Sequence, residues 1–371
     1  MKLDSNQQAF FELVRAGLWE RETHISTLGC FDYSKVYQFA EEQSSVGLVA
    51  AGLEHVHDVK VPQDISLAFV GSTLQLEQRN IAMNEFVAKL IAFLRENDVY
   101  ALLVKGQGIA QCYERPLWRA CGDVDLLLSD SNYRNAVKLL SAKASSVEEE
   151  IKYKLHSAMT LDSWDVDLHG TLRSGLWKSI DSALDQVQFD LFCGGNVQSW
   201  MDGDTQVFIP RADENVVFIF SHIVQHFFRG GIGIRQICDW CRLLWTYHSK
   251  LDLSLLEKRL KQMNVMSEWK AFAALAVGYL GMPVEAMPFY ASDRKWERKA
   301  GCVLSYILET GNFGHNRDYS YLKNNPIFAR KTITFYRQAK DSLRLVPIFP
   351  KDAIISLMHF GWRGVGDLLK G

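Results

Sequence analysis

Residues 102–128 read L-L-V-K-G-Q-G-I-A-Q-C-Y-E-R-P-L-W-R-A-C-G-D-V-D-L-L-L, and their pattern decides the fold. An apolar run from Tyr100 to Val104 enters a Lys105-Gly106 turn, a polar segment carries Arg115 and Arg119, and Gly122 opens a second apolar run containing Asp123 and Asp125. Two buried strands joined by a short helix produce such a pattern. Side chains alternate along a strand, so Asp123 and Asp125 point the same way, about 7 Å apart. Two like charges held that close on an apolar sheet require neutralisation, and a divalent cation bound by oxygen ligands, magnesium or manganese, supplies it.

Downstream, Ser129 to Asn132 offers capping residues for a helix through Ala144. The charged stretch from Val147 to Leu155 suits an exposed or edge strand, and His156 to Leu161 continues it into a hairpin. Trp164 to His169 alternates strictly: Trp164, Val166 and Leu168 share one face, and Asp165, Asp167 and His169 share the other. Asp167 is thereby a third carboxylate about forty residues after the pair, with Asp165 as its rival.

Upstream, helical periodicity covers Gln7 to Glu22 (weakened by Gly17), Tyr33 to Gln43, Val46 to His57 and, most cleanly, Leu74 to Asn97. Beyond Leu176 the helical signal returns, with a short strand at Thr205 to Pro210. Asn215 to Phe228 carries His222 and His226 one turn apart, Ile234 to His248 carries Arg235 and Asp239, and Leu253 to Met263 and Glu268 to Leu280 form an amphipathic pair. Arg235 and Asp239 read as a buried or interfacial pair. Three further helical stretches follow Lys295. The basic and aromatic tail from Phe328 to Lys370 fits packing on the helical layers better than a membrane-surface helix. The expected fold is α/β (α+β): a small mixed sheet core at 99–200, flanked by N-terminal (1–98) and C-terminal (201–371) helical regions.

Composition bounds the function. The 371 residues are 48% hydrophobic and 23% charged, as in ordinary globular proteins. A net charge of -2 argues against a general nucleic-acid binder. Seven scattered cysteines form no zinc spacing and read as reduced thiols. No signal-peptide core or membrane-length apolar run is visible, so the cytoplasm is the expected location.

Lys105-Gly106, then Arg119-x-x-Gly122-Asp123-x-Asp125-Leu126-Leu127, then Val166-Asp167-Leu168-His169, resembles the DNA polymerase β-like nucleotidyltransferase superfamily. More narrowly, it resembles a branch of uncharacterised bacterial nucleotidyltransferases whose motif carries Lys-Gly instead of Gly-Ser. His222-x-x-x-His226, Arg235 and Asp239-Trp240 match that branch as well, and coverage runs from about Leu74 to Leu280. The resemblance implies transfer of an NMP from an NTP to a hydroxyl of a small molecule or protein. It implies two metal ions, with Asp123 and Asp125 ligating both and Asp167 holding the catalytic one and helping to deprotonate the acceptor. The Gly106 turn would cradle the triphosphate, with Lys105, Arg119 and Gly122 beside it. His169, His222, His226 and Arg235 would line a substrate pocket. Gln107 departs from the superfamily's serine.

Rival readings are a degenerate nucleotide-binding or partner protein and, more remotely, a glycosyltransferase using Asp123-Val124-Asp125 on a sugar nucleotide, which leaves Asp167 without a task. A zinc protease is excluded because Ile223 follows His222 where glutamate is needed. A haloacid-dehalogenase-like phosphatase is excluded because His169 stands where a second aspartate is required.

Overall fold

The computed structural model describes residues 2–314, 316–317 and 326–358. Helices α1 (Ser5–Trp19), α2 (Tyr33–Glu42), α3 (Val46–Glu54) and α4 (Gln63–Glu96) precede β1 (Ala101–Val104). A short helix α5 (Gly106–Ala110) and a 3-10 turn (Pro116–Trp118) lead to β2 (Val124–Leu128). Then come α6 (Asp130–Ser141), β3 (Ser146–Val147), β4 (His156–Leu161), β5 (Trp164–His169) and α7 (Lys178–Phe192). The hairpin β6 (Val197–Asp202) and β7 (Thr205–Pro210) is followed by α8 (Ala212–Arg229), α9 (Ile234–Tyr247), α10 (Leu253–Met263), α11 (Met266–Leu280) and α12 (Arg294–Thr310). A long helix, Ile327–Leu345, packs back onto the body, and residues 350–358 are helical again.

The strand order is β1-β2-β5-β4-β3. Within this sheet β2 and β5 are parallel and the other pairings are antiparallel, so the sheet is mixed. Alternation sorts its faces. Val124, Leu126, Leu128, Val166 and Leu168 pack with the end of α4 (Phe86, Leu90, Leu94) and with α6 in one core. Leu127 and, across the sheet, Leu102 and Val104 turn to the other side, into a second core built from the helices. Asp125, Asp167 and His169 stand on that second face, beneath α8 and α9. Expectation and structure agree on a mixed α/β fold.

Several details differ from expectation. Val147 to Leu155 is not a strand beyond Val147: Glu148 to Glu150 run irregularly and Lys152–Lys154 form a 3-10 turn. The third sheet-edge segment is therefore two residues long. Strand β6 carries no apolar alternation, which leaves it without a signature in the sequence. Helix α4 begins eleven residues before Leu74, because Leu67, Val70 and Leu74 are exposed and leave no amphipathic signature there. Asp123 stands just before β2, not within it.

The N- and C-terminal helices share one core. Trp19 Nε1 donates to Leu280 O at 2.6 Å, and Arg242 Nη1 to Leu18 O at 3.0 Å. Gly17 is the reason α1 and α3 lie so close. A Cβ there would stand 2.0 Å from Leu48 O, and one at Gly52 would stand 2.0 Å from Leu13 O. The glycine that weakens α1 as an isolated helix is what admits its neighbour. In the tail, Gln338 Nε2 donates to Phe228 O at 2.8 Å, and Leu345 and Phe349 are buried. Residues 359–371, the end of the basic and aromatic tail, lie outside the described residues. Among the described residues, no helix is long and apolar enough to cross a membrane.

Candidate active site on the helix-facing side of the sheet

A cavity of about 800 Å³ opens between the sheet face and helices α8 and α9. Parallel pairing of β2 with β5 sets Asp125 directly opposite Asp167. Asp123 joins them, and each of the three carboxylates offers an oxygen within 4.8 Å of the others. The structure thus gathers the three aspartates on one face, the arrangement that alternation and the resemblance lead one to expect. Asp165 lies at the rim of the cavity, where it accepts a hydrogen bond from Thr160 Oγ1 at 3.3 Å.

Asp125 is 2% exposed, and its Oδ1 receives both Lys105 Nζ at 2.5 Å and His169 Nε2 at 2.8 Å. Burial alone would raise its pKa, but Lys105 and then His169 outweigh burial, so Asp125 stands well below the usual carboxylate range. Asp123 is pushed up, first by Asp125 and then by burial, with Lys105 opposing. Lys105 is held above its ordinary value: burial opposes its charge, but Asp125, Asp123 and Asp167 together prevail. The lysine reaches the cluster from a left-handed backbone conformation (φ 58°), followed by Gly106 at φ 37°. Such a conformation in a non-glycine residue persists only where its surroundings impose it.

His156 carries no mark in the sequence, and it belongs to this cluster. It lies across from His169 in the β4–β5 register, with ring centroids 4.8 Å apart, and its Nε2 is 3.2 Å from Asp167 Oδ2. His156, Asp167 and His169 also have ligand atoms within 4.8 Å of one another. Only strand pairing reveals it.

Above the carboxylates, α8 presents His222 and His226 with rings 4.3 Å apart. Burial, then Lys105, hold both imidazoles neutral: His222 falls well below its ordinary value and His226 is pushed down to about 3. Burial likewise lowers His169, against the pull of Asp125.

Arg119 lines the cavity, but its guanidinium is engaged by a partner 120 positions away. Its Nε and Nη2 donate to the two oxygens of Asp239 at 3.0 and 2.6 Å, and Tyr113 Oη donates to the same carboxylate at 2.8 Å. Asp239 therefore belongs first to Arg119; Arg235 Nη1 lies 3.9 Å from it. Gln107, at the position of the superfamily's serine, is buried and donates to Asn80 Oδ1 at 3.1 Å. Asn80 Nδ2 in turn donates to Leu117 O and Arg119 O at 2.7 and 2.8 Å. This buried asparagine in the middle of α4 clamps the loop that delivers Gly122 and Asp123, and no sequence signal marked it. Gly122 is uncrowded: a methyl group added there would meet nothing within 4 Å. Arg115 lies away from the cluster, bonded to Glu20 and Glu54.

The donor set fits a hard divalent cation. Three carboxylates face a single ammonium, with His169, His222 and His226 held toward the neutral form, and oxygen donors suit magnesium or manganese. Compared with known proteins, residues 29–281, about two thirds of the chain, match the family model described as an uncharacterised nucleotidyltransferase. No curated protein and no solved structure matches.

Proposed function

The chain belongs to the uncharacterised nucleotidyltransferase family, and on that premise we propose that it transfers an NMP from an NTP to a hydroxyl of a small-molecule or protein acceptor. The observation that carries this reading is the convergence of Asp123, Asp125 and Asp167 at the floor of one cavity. Magnesium or manganese held there, two ions in the full reading, would supply charge neutralisation on the triphosphate and activation of the attacking oxygen.

The chain's own groups have separable tasks. Asp123 and Asp125 would hold the cation or cations that meet the triphosphate. Asp167, on the neighbouring strand, takes the proton of the acceptor hydroxyl. The acceptor oxygen forms a bond to the α-phosphorus, the bond from that phosphorus to the bridging oxygen breaks, and pyrophosphate leaves with the electron pair. Lys105, which pairs with Asp125 on the cavity wall, would be placed to pair with a phosphate oxygen were Asp125 engaged by a cation. His222 and His226, held neutral, line the pocket without adding charge that would repel a cation. Arg119 holds the loop before Asp123 in place through Asp239. The seven cysteines form no disulfide, which supports work in a reducing, cytoplasmic setting.

Purified protein incubated with magnesium and NTP labelled at the α- or γ-phosphate tests the proposal. Label from the α-phosphate should pass to an acceptor, with unlabelled pyrophosphate released. Asp125→Asn should abolish metal-dependent NTP binding. Normal Mg-NTP binding by that variant refutes the assignment, and binding without turnover would mark the chain as a nucleotide-binding partner protein.

A further inference from the structure

Arg235 is the second residue of α9, and its side chain is 13% exposed on the cavity wall. A guanidinium carries five N–H donors. Among the described residues, Arg235 makes no side-chain hydrogen bond, and its Nε is fully buried without a partner. Its nearest anion, Asp239, is 3.9 Å away and already bonded to Arg119 and Tyr113. Two arginines thus share one carboxylate: Arg119 holds it at hydrogen-bond distance and Arg235 only as a long ion pair. Its place in the first turn of α9 adds the positive end of the helix dipole, where a cation is disfavoured and an anion favoured. A largely buried guanidinium whose hydrogen-bond donors are unmet is costly and is a common mark of a ligand-binding group.

The anion it awaits is narrowed by its neighbours. Arg235 stands over the loop that leads into Asp123: Asp239, 3.9 Å from it, is bonded to Arg119 in that loop, and Arg235 lines the cavity together with Lys105, Gly106 and Asp123. Its charge therefore acts at the Asp123 side of the cluster, whereas His156 marks the Asp167 side.

We propose that Arg235 is an anion-binding residue that receives the β- and γ-phosphates of the bound NTP and keeps hold of the pyrophosphate as it leaves. This rests on the nucleotidyltransferase reading. The alternative source of the same chemistry, an acidic group on the acceptor, is separated by the test.

The test uses the full chain and the variant Arg235→Met, with inorganic pyrophosphate, NTP and NMP as probes, each with magnesium. Without ligand, the variant should unfold at a higher urea concentration than wild type, because it no longer buries a guanidinium with unmet hydrogen-bond donors beside Arg119. Calorimetric titration should show Kd for pyrophosphate and NTP raised about 10- to 100-fold, the loss of one charge-assisted contact, with the NMP Kd unchanged. A variant that is less stable and yet binds pyrophosphate as wild type overturns the proposal. So does an equal loss for NMP, or unchanged NTP and pyrophosphate affinity with a raised acceptor KM, which assigns Arg235 to the acceptor. Failure of the transferase reading looks different: wild type itself would then bind neither NTP nor pyrophosphate.

Discussion

Replacing Lys105 by methionine tests the electrostatic design of the carboxylate cluster. In the intact protein the ammonium lies 2.5 Å from Asp125 Oδ1, and both groups are largely out of water. Removing one partner of a buried pair typically costs about 3–5 kcal/mol, because the other charge stays buried. His169 keeps its hydrogen bond to the same oxygen, and a bond to a charged group returns about 1.5 kcal/mol. The expected loss at pH 7 without metal is therefore about 1.5–3.5 kcal/mol. Two dependences distinguish this cause from a simple packing defect. The first is pH. Asp125 has a depressed pKa in the native wild type, so its contribution is fully present above the free-chain value of about 3.9 and fades as pH falls through the native value. In the variant the native pKa moves up, the folded protein takes up the proton, and the deficit against wild type narrows as pH falls from 7 toward 4. The second is metal. A cation no longer competes with the ammonium, and at about 100 times its Kd it adds about 2.7 kcal/mol. Magnesium should therefore recover much of the loss, and should stabilise the variant more than wild type. Urea denaturation in magnesium and in EDTA, at pH 7 and pH 5, measures all of this. A deficit that ignores both pH and magnesium would refute the reasoning.

Asp239→Asn leaves Arg119 buried without its counter-charge and should cost about 3–5 kcal/mol by urea denaturation. The double variant Arg119→Met/Asp239→Leu should cost less than the two single changes summed, and strict additivity would contradict the ion pair. Gly17→Ala should lower the melting temperature despite alanine's better helix propensity, by about 3 kcal/mol of stability or more, because its methyl meets Leu48 O; a stabilised variant would show that α1 and α3 are not in that contact. His226 is neutral in the fold and titrates about 3, so between pH 6.5 and that value the unfolded chain holds the extra proton and stability falls with acid, by at most about 1.4 kcal/mol per pH unit from this residue. His226→Gln should flatten the stability profile between pH 6.5 and 5, and an unchanged slope there counts against the assignment.

Much of the sheet was legible because alternation is a local property. Trp164 to His169 sorts its faces by residue order alone, and the same logic turns Asp125 away from the face that Leu126 takes. What could not be read were meanings fixed by pairing across long separations. Arg119 resembles a phosphate contact in its own motif, and only the approach of α9 gives it Asp239. His156 sits in an unremarkable polar run until strand register places it against His169. Asn80 is one polar residue in a long helix until the loop at Leu117 and Arg119 folds over it. The exposed apolar residues Leu67, Val70 and Leu74 hid the start of α4 for the opposite reason: a helix turned with apolar groups toward solvent shows no amphipathic stripe.

The stretch that carries family kinship starts at residue 29, after α1 has ended. That first helix buries Phe10, Phe11, Leu13 and Val14, supplies the carbonyl gripped by Arg242, and presses its glycine into α3. A polypeptide begun where the kinship begins would open a greasy trench along α3 and take one of three partners from Arg242 on α9, the helix that also bears Arg235 and Asp239. The segment recognisable by descent is therefore shorter than the segment that is mechanically self-sufficient, and α1 acts as the keystone of a pocket it never touches.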